Sequence, residues 1–199
     1  DVKAGNDHIA VDADHVVALW NGGNLRANIA EGTFGAEALA EVLPFPNKVA
    51  VVYMSGAQLL EALEAASQAL PYTAETADAC ASLMQVSGLT YTVDTAKAYD
   101  ALEAYGDHWF TAGSVSRVSI SDVNGQPFDE TATYAVVTSN ANFNGMDSSY
   151  VLKAAAEANE QSAVTTAVVR DVVFRFIAAE LNHQVGEAFA APEGRMTFL

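Results

Sequence analysis

The stretch from Lys48 to Gln58, K-V-A-V-V-Y-M-S-G-A-Q, constrains the fold more than any other. Lys48 to Met54 is an apolar, β-branched run that predicts a strand. Ser55 follows, with Gln58 three residues on, which is a capping box and sets the start of a helix. That helix carries Leu59, Leu60, Leu63, Ala66 and Leu70 on one broad face. Such a face must be buried against another layer. A strand that runs straight into a capped amphipathic helix already demands a layered mixture of sheet and helix.

The remaining elements are set by the same signals. His15 to Trp20 predicts a strand closed by the Gly22-Gly23 turn. Gly35 to Leu43 has helical spacing at Ala38, Leu39 and Val42 and is stopped by Pro44 and Pro46. Residues 71–83 read as a loop with a short acidic helix, and L-M-Q-V-S-G-L-T-Y-T-V-D as two β runs around Ser87-Gly88. Residues 95–113 predict irregular structure with exposed aromatics at Tyr99, Tyr105, Trp109 and Phe110. Val118, Ile120 and Val123 alternate ahead of an Asn124-Gly125 hairpin signal. T-Y-A-V-V-T-S-N-A-N-F predicts another strand, then a polar glycine loop and a helix from about Asp147. Val164, Val168, Val172, Phe176 and Leu181 predict one long amphipathic helix over 161–182, and E-G-R-M-T-F-L an edge strand. With no repeat, low-complexity tract or linker, the pattern predicts one α+β domain over 14–199. Residues 1–13 are expected to be a truncated or divergent N-terminal segment. The first residues lack a basic and an apolar signal-peptide region, so they are expected to be a mature or trimmed terminus.

Composition narrows the partners. The formal charge of -16 repels polyanions, which argues against nucleic acid and anionic membrane surfaces. No apolar run approaches the ~18 residues that suggest membrane insertion. The one cysteine, Cys80, leaves no internal disulfide framework and no cysteine-based zinc cluster. An acidic, alanine-rich, lysine-poor chain suits a periplasmic or extracellular setting.

Three loops carry the candidate chemistry. In Asn21-Gly22-Gly23-Asn24-Leu25-Arg26 the glycines allow close backbone approach and Arg26 offers a fork of donors. The plainer reading is a turn whose arginine makes a surface salt bridge. In Pro44-Phe45-Pro46-Asn47 two prolines hold Phe45 in an extended loop, where its ring either plugs the core or stacks on a flat ligand. In the loop from Asn140 to Asp147 the acid is either a helix N-cap or a ligand acceptor, and the two roles can coexist.

N-G-G-N-L-R, L-P-F-P-N, S-G-A-Q-L-L-E-A-L-E, L-M-Q-V-S-G-L-T-Y-T-V-D, R-V-S-I-S-D-V-N-G-Q-P-F-D, T-Y-A-V-V-T-S-N-A-N-F-N-G-M-D and E-G-R-M follow one another in order. Together they resemble the C-terminal domain of the 5'-nucleotidase family, which includes periplasmic UDP-sugar hydrolases and ecto-5'-nucleotidases. The resemblance implies layered mixed sheets covered by helices. It implies a nucleotide or nucleoside ligand, and a separate N-terminal metallophosphatase domain that holds the divalent metal ions and lies outside this chain. It further implies that Asn21 and Arg26 contact the base, the ribose or the active-site edge. Phe45 would form one side of an aromatic sandwich, Asn47 would hydrogen-bond the base, Gly88 would approach the base, and Asp147 would grip the ribose hydroxyls.

The chain departs from that pattern at Ala141, where the family carries Phe, and at Met146, where it carries Gly. Phe143 is the candidate replacement for the missing ring. A second, upstream arginine is absent. No catalytic residues are expected here: metallophosphatases gather Asp-x-His and paired-His clusters around two metals ~4 Å apart. Gly5 to His8 has the wrong order, and His15, His108 and His183 are not spaced as ligands. The expected role is therefore the substrate-recognition domain of a two-domain phosphohydrolase, inactive alone. The alternative is a non-catalytic extracellular binding or structural domain with a diverged ligand loop.

Overall fold

The computed structural model describes residues 10–189 and 191–199. Gly5 to His8 and most of the N-terminal segment over 1–13 lie outside the described residues. In chain order the strands are β1 (Val16–Asn21), β2 (Lys48–Ser55), β3 (Met84–Ser87), β4 (Leu89–Val93), β5 (Ala101–Tyr105), β6 (Trp109–Ala112), β7 (Val118–Val123), β8 (Gln126–Pro127), β9 (Thr133–Ser139), β10 (Ala163–Val168) and β11 (Met196–Phe198). The α-helices are α1 (Ala36–Val42), α2 (Gly56–Ala66), α3 (Asn140–Phe143), α4 (Tyr150–Ala158) and α5 (Val169–Ala179).

The capping box closes between β2 and α2. Ser55 Oγ accepts from the Gln58 amide at 3.2 Å, and Gln58 Oε1 accepts from the Ser55 amide at 2.9 Å. A five-stranded mixed sheet runs in the order β10-β2-β9-β1-β3, with β1 and β9 parallel and the other pairs antiparallel. A four-stranded sheet runs β11-β4-β7-β8, so the terminal segment is the edge strand its sequence suggested. The main core lies between the two sheets and beneath α2 and α4. It takes Val17 and Leu19 from β1, Val52 and Met54 from β2, Leu59 and Leu63 from α2, Tyr91 from β4 and Leu152 from α4. Val51 and Tyr53 point the other way, into a small cluster with Ala135 on the opposite face. The unbroken apolar run of β2 is thus explained by burial on both faces.

Three local expectations are corrected. Residues 161–182 are not one helix, because Ala163 to Val168 forms β10 on the free edge of β2. Thr165 Oγ1 donates to the Val49 carbonyl at 2.9 Å. An available sheet edge outweighs a helical spacing of valines, which are β-branched and suit a strand. Residues 95–113 are not irregular: β5 and β6 form a hairpin. Its Tyr99, Tyr105 and Trp109 are half-buried, and Phe110 is exposed. The helix expected from Asp147 begins at Tyr150, with Ser149 at its N-cap position. The four-residue α3, capped by Ser139 Oγ on the Asn142 amide, takes up the chain before it.

Candidate functional site

The topology brings the three loops together. β9 is the middle of the triplet β2-β9-β1. Since β1 runs parallel to β9, the stretch after Asn21 and the stretch after Ser139 leave the sheet at the same edge. Since β2 runs antiparallel to β9, with Val49 opposite Ser139, the chain enters β2 from Phe45 and Asn47 at that edge too. Crevices beyond the carboxyl ends of parallel strands are the usual ligand positions in such sheets. Cross-ties hold the loops in place. The Arg26 amide donates to the Val42 carbonyl at 3.0 Å, and the Lys48 amide donates to Asn140 Oδ1 at 2.7 Å.

Asn21 is 2% exposed and organises the centre. Its Nδ2 donates to Asp147 Oδ2 at 2.5 Å, and its Oδ1 accepts from Asn24 Nδ2 at 2.5 Å. Asp147 has φ 56, a left-handed conformation open to Asp and Asn but rare otherwise. This geometry sets it apart from the N-cap role. Burial pushes its carboxyl above the ordinary aspartate range, while the Asn21 bond and the Arg26 charge pull back against that rise. The Arg26 guanidinium lies over the Phe45 ring, 5.4 Å from its centroid. Phe45 is 40% exposed, so it is no core plug. Asn47 is half-buried and lines a small cleft with Trp20, Asn24, Leu43, Phe45 and Val169.

Two residues are not brought to this cluster. β3 runs antiparallel to β1 with Ser87 opposite Ala18, which carries Gly88 to the start of β1. That is about four residues, or roughly 13 Å, from Asn21 along the strand. A Cβ on Gly88 would sit 2.9 Å from the Val16 carbonyl oxygen and 3.0 Å from Asn124 Oδ1, at φ +79. Gly88 therefore sits in a tight turn away from the other three loops. Gly88→Ala is expected to lower stability by about 1–2 kcal/mol with ligand affinity unchanged, as read from paired denaturation and binding titrations. Phe143 is the other. It packs against the main core, because the Ser139 cap fixes α3 in a helical turn over that core. That packing engages a half-buried ring, and Ala141 is itself buried.

Sequence reasoning passed over Trp20 and Asn24 as site residues. Trp20 lines the cleft, and its indole Nε1 is buried without a hydrogen-bond partner. The signal was present in W-N-G-G-N-L-R, but strand alternation alone does not tell a core tryptophan from a cleft wall. Among the described residues, no group of three or more His, Cys, Asp or Glu side chains is gathered to hold a metal. Nor is any helix among them long and apolar enough to cross a membrane.

Comparison with known proteins agrees with this architecture. The family model described as "5'-nucleotidase, C-terminal domain" matches residues 3–154. A 5'-nucleotidase precursor from Thermus thermophilus superposes with a TM-score of 0.70 at 32% identity, over 92% of this chain and 31% of that one. The NAD nucleotidase of Haemophilus influenzae gives a TM-score of 0.66 at 19% identity, over 93% of this chain and 30% of that one. A putative 5'-nucleotidase from Staphylococcus aureus, in complex with alpha-ketoglutarate, gives 0.60 at 16% identity, over 92% and 33%. The last two likenesses speak for the fold alone. No curated protein matches the chain. The chain spans about a third of the length of these solved structures. Since the family model matches most of the chain, the chain belongs to the 5'-nucleotidase C-terminal domain family.

Proposed function

We propose that this domain is the nucleoside-recognition part of a two-domain, metal-dependent 5'-nucleotidase-type phosphohydrolase. The catalytic metallophosphatase domain and its divalent metal ions lie outside this chain. The observation that supports it is the meeting of Asn21, Arg26, Phe45 and Asp147 at one sheet edge. A ribose presents two neighbouring hydroxyl donors, and an ionised carboxylate accepts both. Asp147 takes that role, oriented by Asn21. Phe45 offers a face for the base, Asn47 a donor and acceptor beside it, and Arg26 a charge for the phosphate end. In a chain of formal charge -16 that local cation offsets an unfavourable field for an anionic ligand. The acidic, lysine-poor composition goes with a periplasmic or extracellular location.

The guanidinium over Phe45 occupies one face of the ring, so a base either displaces it or stacks outside it. A cation over an exposed ring is worth about 0.5–1 kcal/mol, little enough for a stacking base to displace. Adenosine, AMP and a UDP-sugar should each be titrated while thermal midpoint and the fluorescence of Trp20, a cleft wall, are followed. A saturable rise in midpoint is expected for at least one. Phe45→Ala is expected to weaken that ligand by about 1–3 kcal/mol with little change in stability.

A second reading is a non-catalytic binding or structural domain. It is favoured by one feature: Phe143, the candidate second ring, is engaged with the core. No response to any nucleoside or nucleotide at millimolar concentration would decide for it.

A further inference from the structure

We propose that Tyr105, in the β5–β6 hairpin, is a positioning residue that sets Asp147 for the ribose. The inference rests on the nucleoside reading above and adds a residue from outside the three loops.

The segment between α3 and α4 holds Asp147 by an unusual backbone path. Gly145 has φ 86 and Asp147 φ 56, two left-handed residues in three. Its own amides bond only to near neighbours in the chain: Gly145 and Met146 donate back to the Asn142 and Ala141 carbonyls of α3, and Ser149 to the Met146 carbonyl, at 3.0–3.1 Å. The hairpin supplies the outside tie. The Tyr105 hydroxyl donates to the Gly145 carbonyl at 2.6 Å. A Cβ on Gly145 would collide with that hydroxyl, so the tyrosine lies directly against the backbone. The same hairpin grips the far end of the segment. The Tyr105 and Tyr150 rings are 5.6 Å apart, and the Tyr150 hydroxyl accepts from the Ala112 amide at 2.9 Å. Asp147 is thus bracketed, with one contact two residues before it and one three residues after.

The hairpin is in turn fastened to the body. The Phe110 amide donates to Gln68 Oε1 at 2.9 Å, just beyond α2. Asn21 therefore orients the carboxylate from the strand side, and Tyr105 orients its backbone from the hairpin side. A carboxylate that must meet two hydroxyls at once depends on such support, because misplacement by an ångström weakens both bonds.

The test separates ribose grip from general packing. Tyr105→Phe keeps the ring and removes only the hydroxyl. With the full chain, adenosine affinity is expected to fall about three- to tenfold, the loss of one well-formed hydrogen bond. Affinity for 2',3'-dideoxyadenosine, which lacks both hydroxyls, is expected to stay at the wild-type value. Leu102→Ser, on an exposed hairpin position, should leave both affinities unchanged. An equal loss for both ligands, or no loss for either, overturns the assignment of Tyr105 while leaving the nucleoside reading in place. Wild-type chain that binds neither ligand, or that binds both equally, removes the nucleoside or ribose reading and this inference with it.

Discussion

Asp147→Asn is expected to reduce nucleoside affinity at least about a hundredfold, since two charge-assisted hydrogen bonds are each worth roughly 1.5–3 kcal/mol. The same substitution is expected to leave the domain as stable as before, or more so. The amide keeps an acceptor for Asn21 Nδ2 and, like aspartate, tolerates the left-handed backbone at φ 56. Burial raises the Asp147 pKa, so the folded state holds its proton more tightly than the unfolded chain does. Stability from this group is present below the unfolded pKa and is lost as pH rises through the folded one. At neutral pH the charge is therefore a cost that asparagine removes, a trade of stability for function common at binding sites. Ligand binding shows the opposite sign. Wild-type affinity falls as acid protonates the carboxylate, and the fall begins at a higher pH than for an exposed aspartate. Calorimetric titration across pH, with urea denaturation of both proteins, checks all of these. An asparagine variant that binds adenosine as wild type does would remove Asp147 from the ribose.

The second large effect is on folding. Glu64, the ninth residue of α2, is fully buried, and Arg117, at the entry to β7, is 2% exposed. The Glu64 carboxylate accepts from the Arg117 amide at 3.0 Å and the Val118 amide at 2.9 Å. The Arg117 guanidinium donates back to the Ser67 carbonyl at 3.0 Å and the Leu70 carbonyl at 2.6 Å, just past the end of α2. A cation among the last carbonyls of a helix is favourably placed. Burial opposes the Arg117 charge, and Glu64 supports it. Glu64→Ala leaves two buried amides unpaired, each costing about 1–3 kcal/mol, and withdraws charge support from the buried guanidinium. Glu64→Gln, which keeps an acceptor, is expected to lose less. Urea midpoints at neutral pH give the order wild type, then Gln, then Ala. A loss below about 1 kcal/mol for the alanine variant would mean the pair behaves as an exposed one.

The site was only partly legible in the sequence. Arg26, Phe45 and Asp147 were singled out from glycine, proline and acid signals within their own loops, and the structure puts all three at one edge. Gly88 fits the same motif order, yet antiparallel pairing of β3 on β1 carries it to the opposite end of the strands. Phe143 is the aromatic nearest to the missing ring in sequence, but a helical turn packs it against the core. Local pattern marks Tyr105 as an exposed aromatic and nothing more. Its partner, Gly145, lies forty residues away, beyond the reach of local pattern. The valines of 161–182 show the same limit, since their spacing suited a helix while β2 offered an unpaired edge.

The sequence by itself determined the start of α2, the Asn124-Gly125 hairpin, the apolar strands around the core and the identity of the polar loops. Each rests on bonds or steric limits within a few residues. Tertiary structure alone decided which loops share an edge, which aromatic rings stay open, and that a distant hairpin braces the acid loop. Those outcomes depend on strand order and register, and these are chosen by packing between segments far apart in the chain.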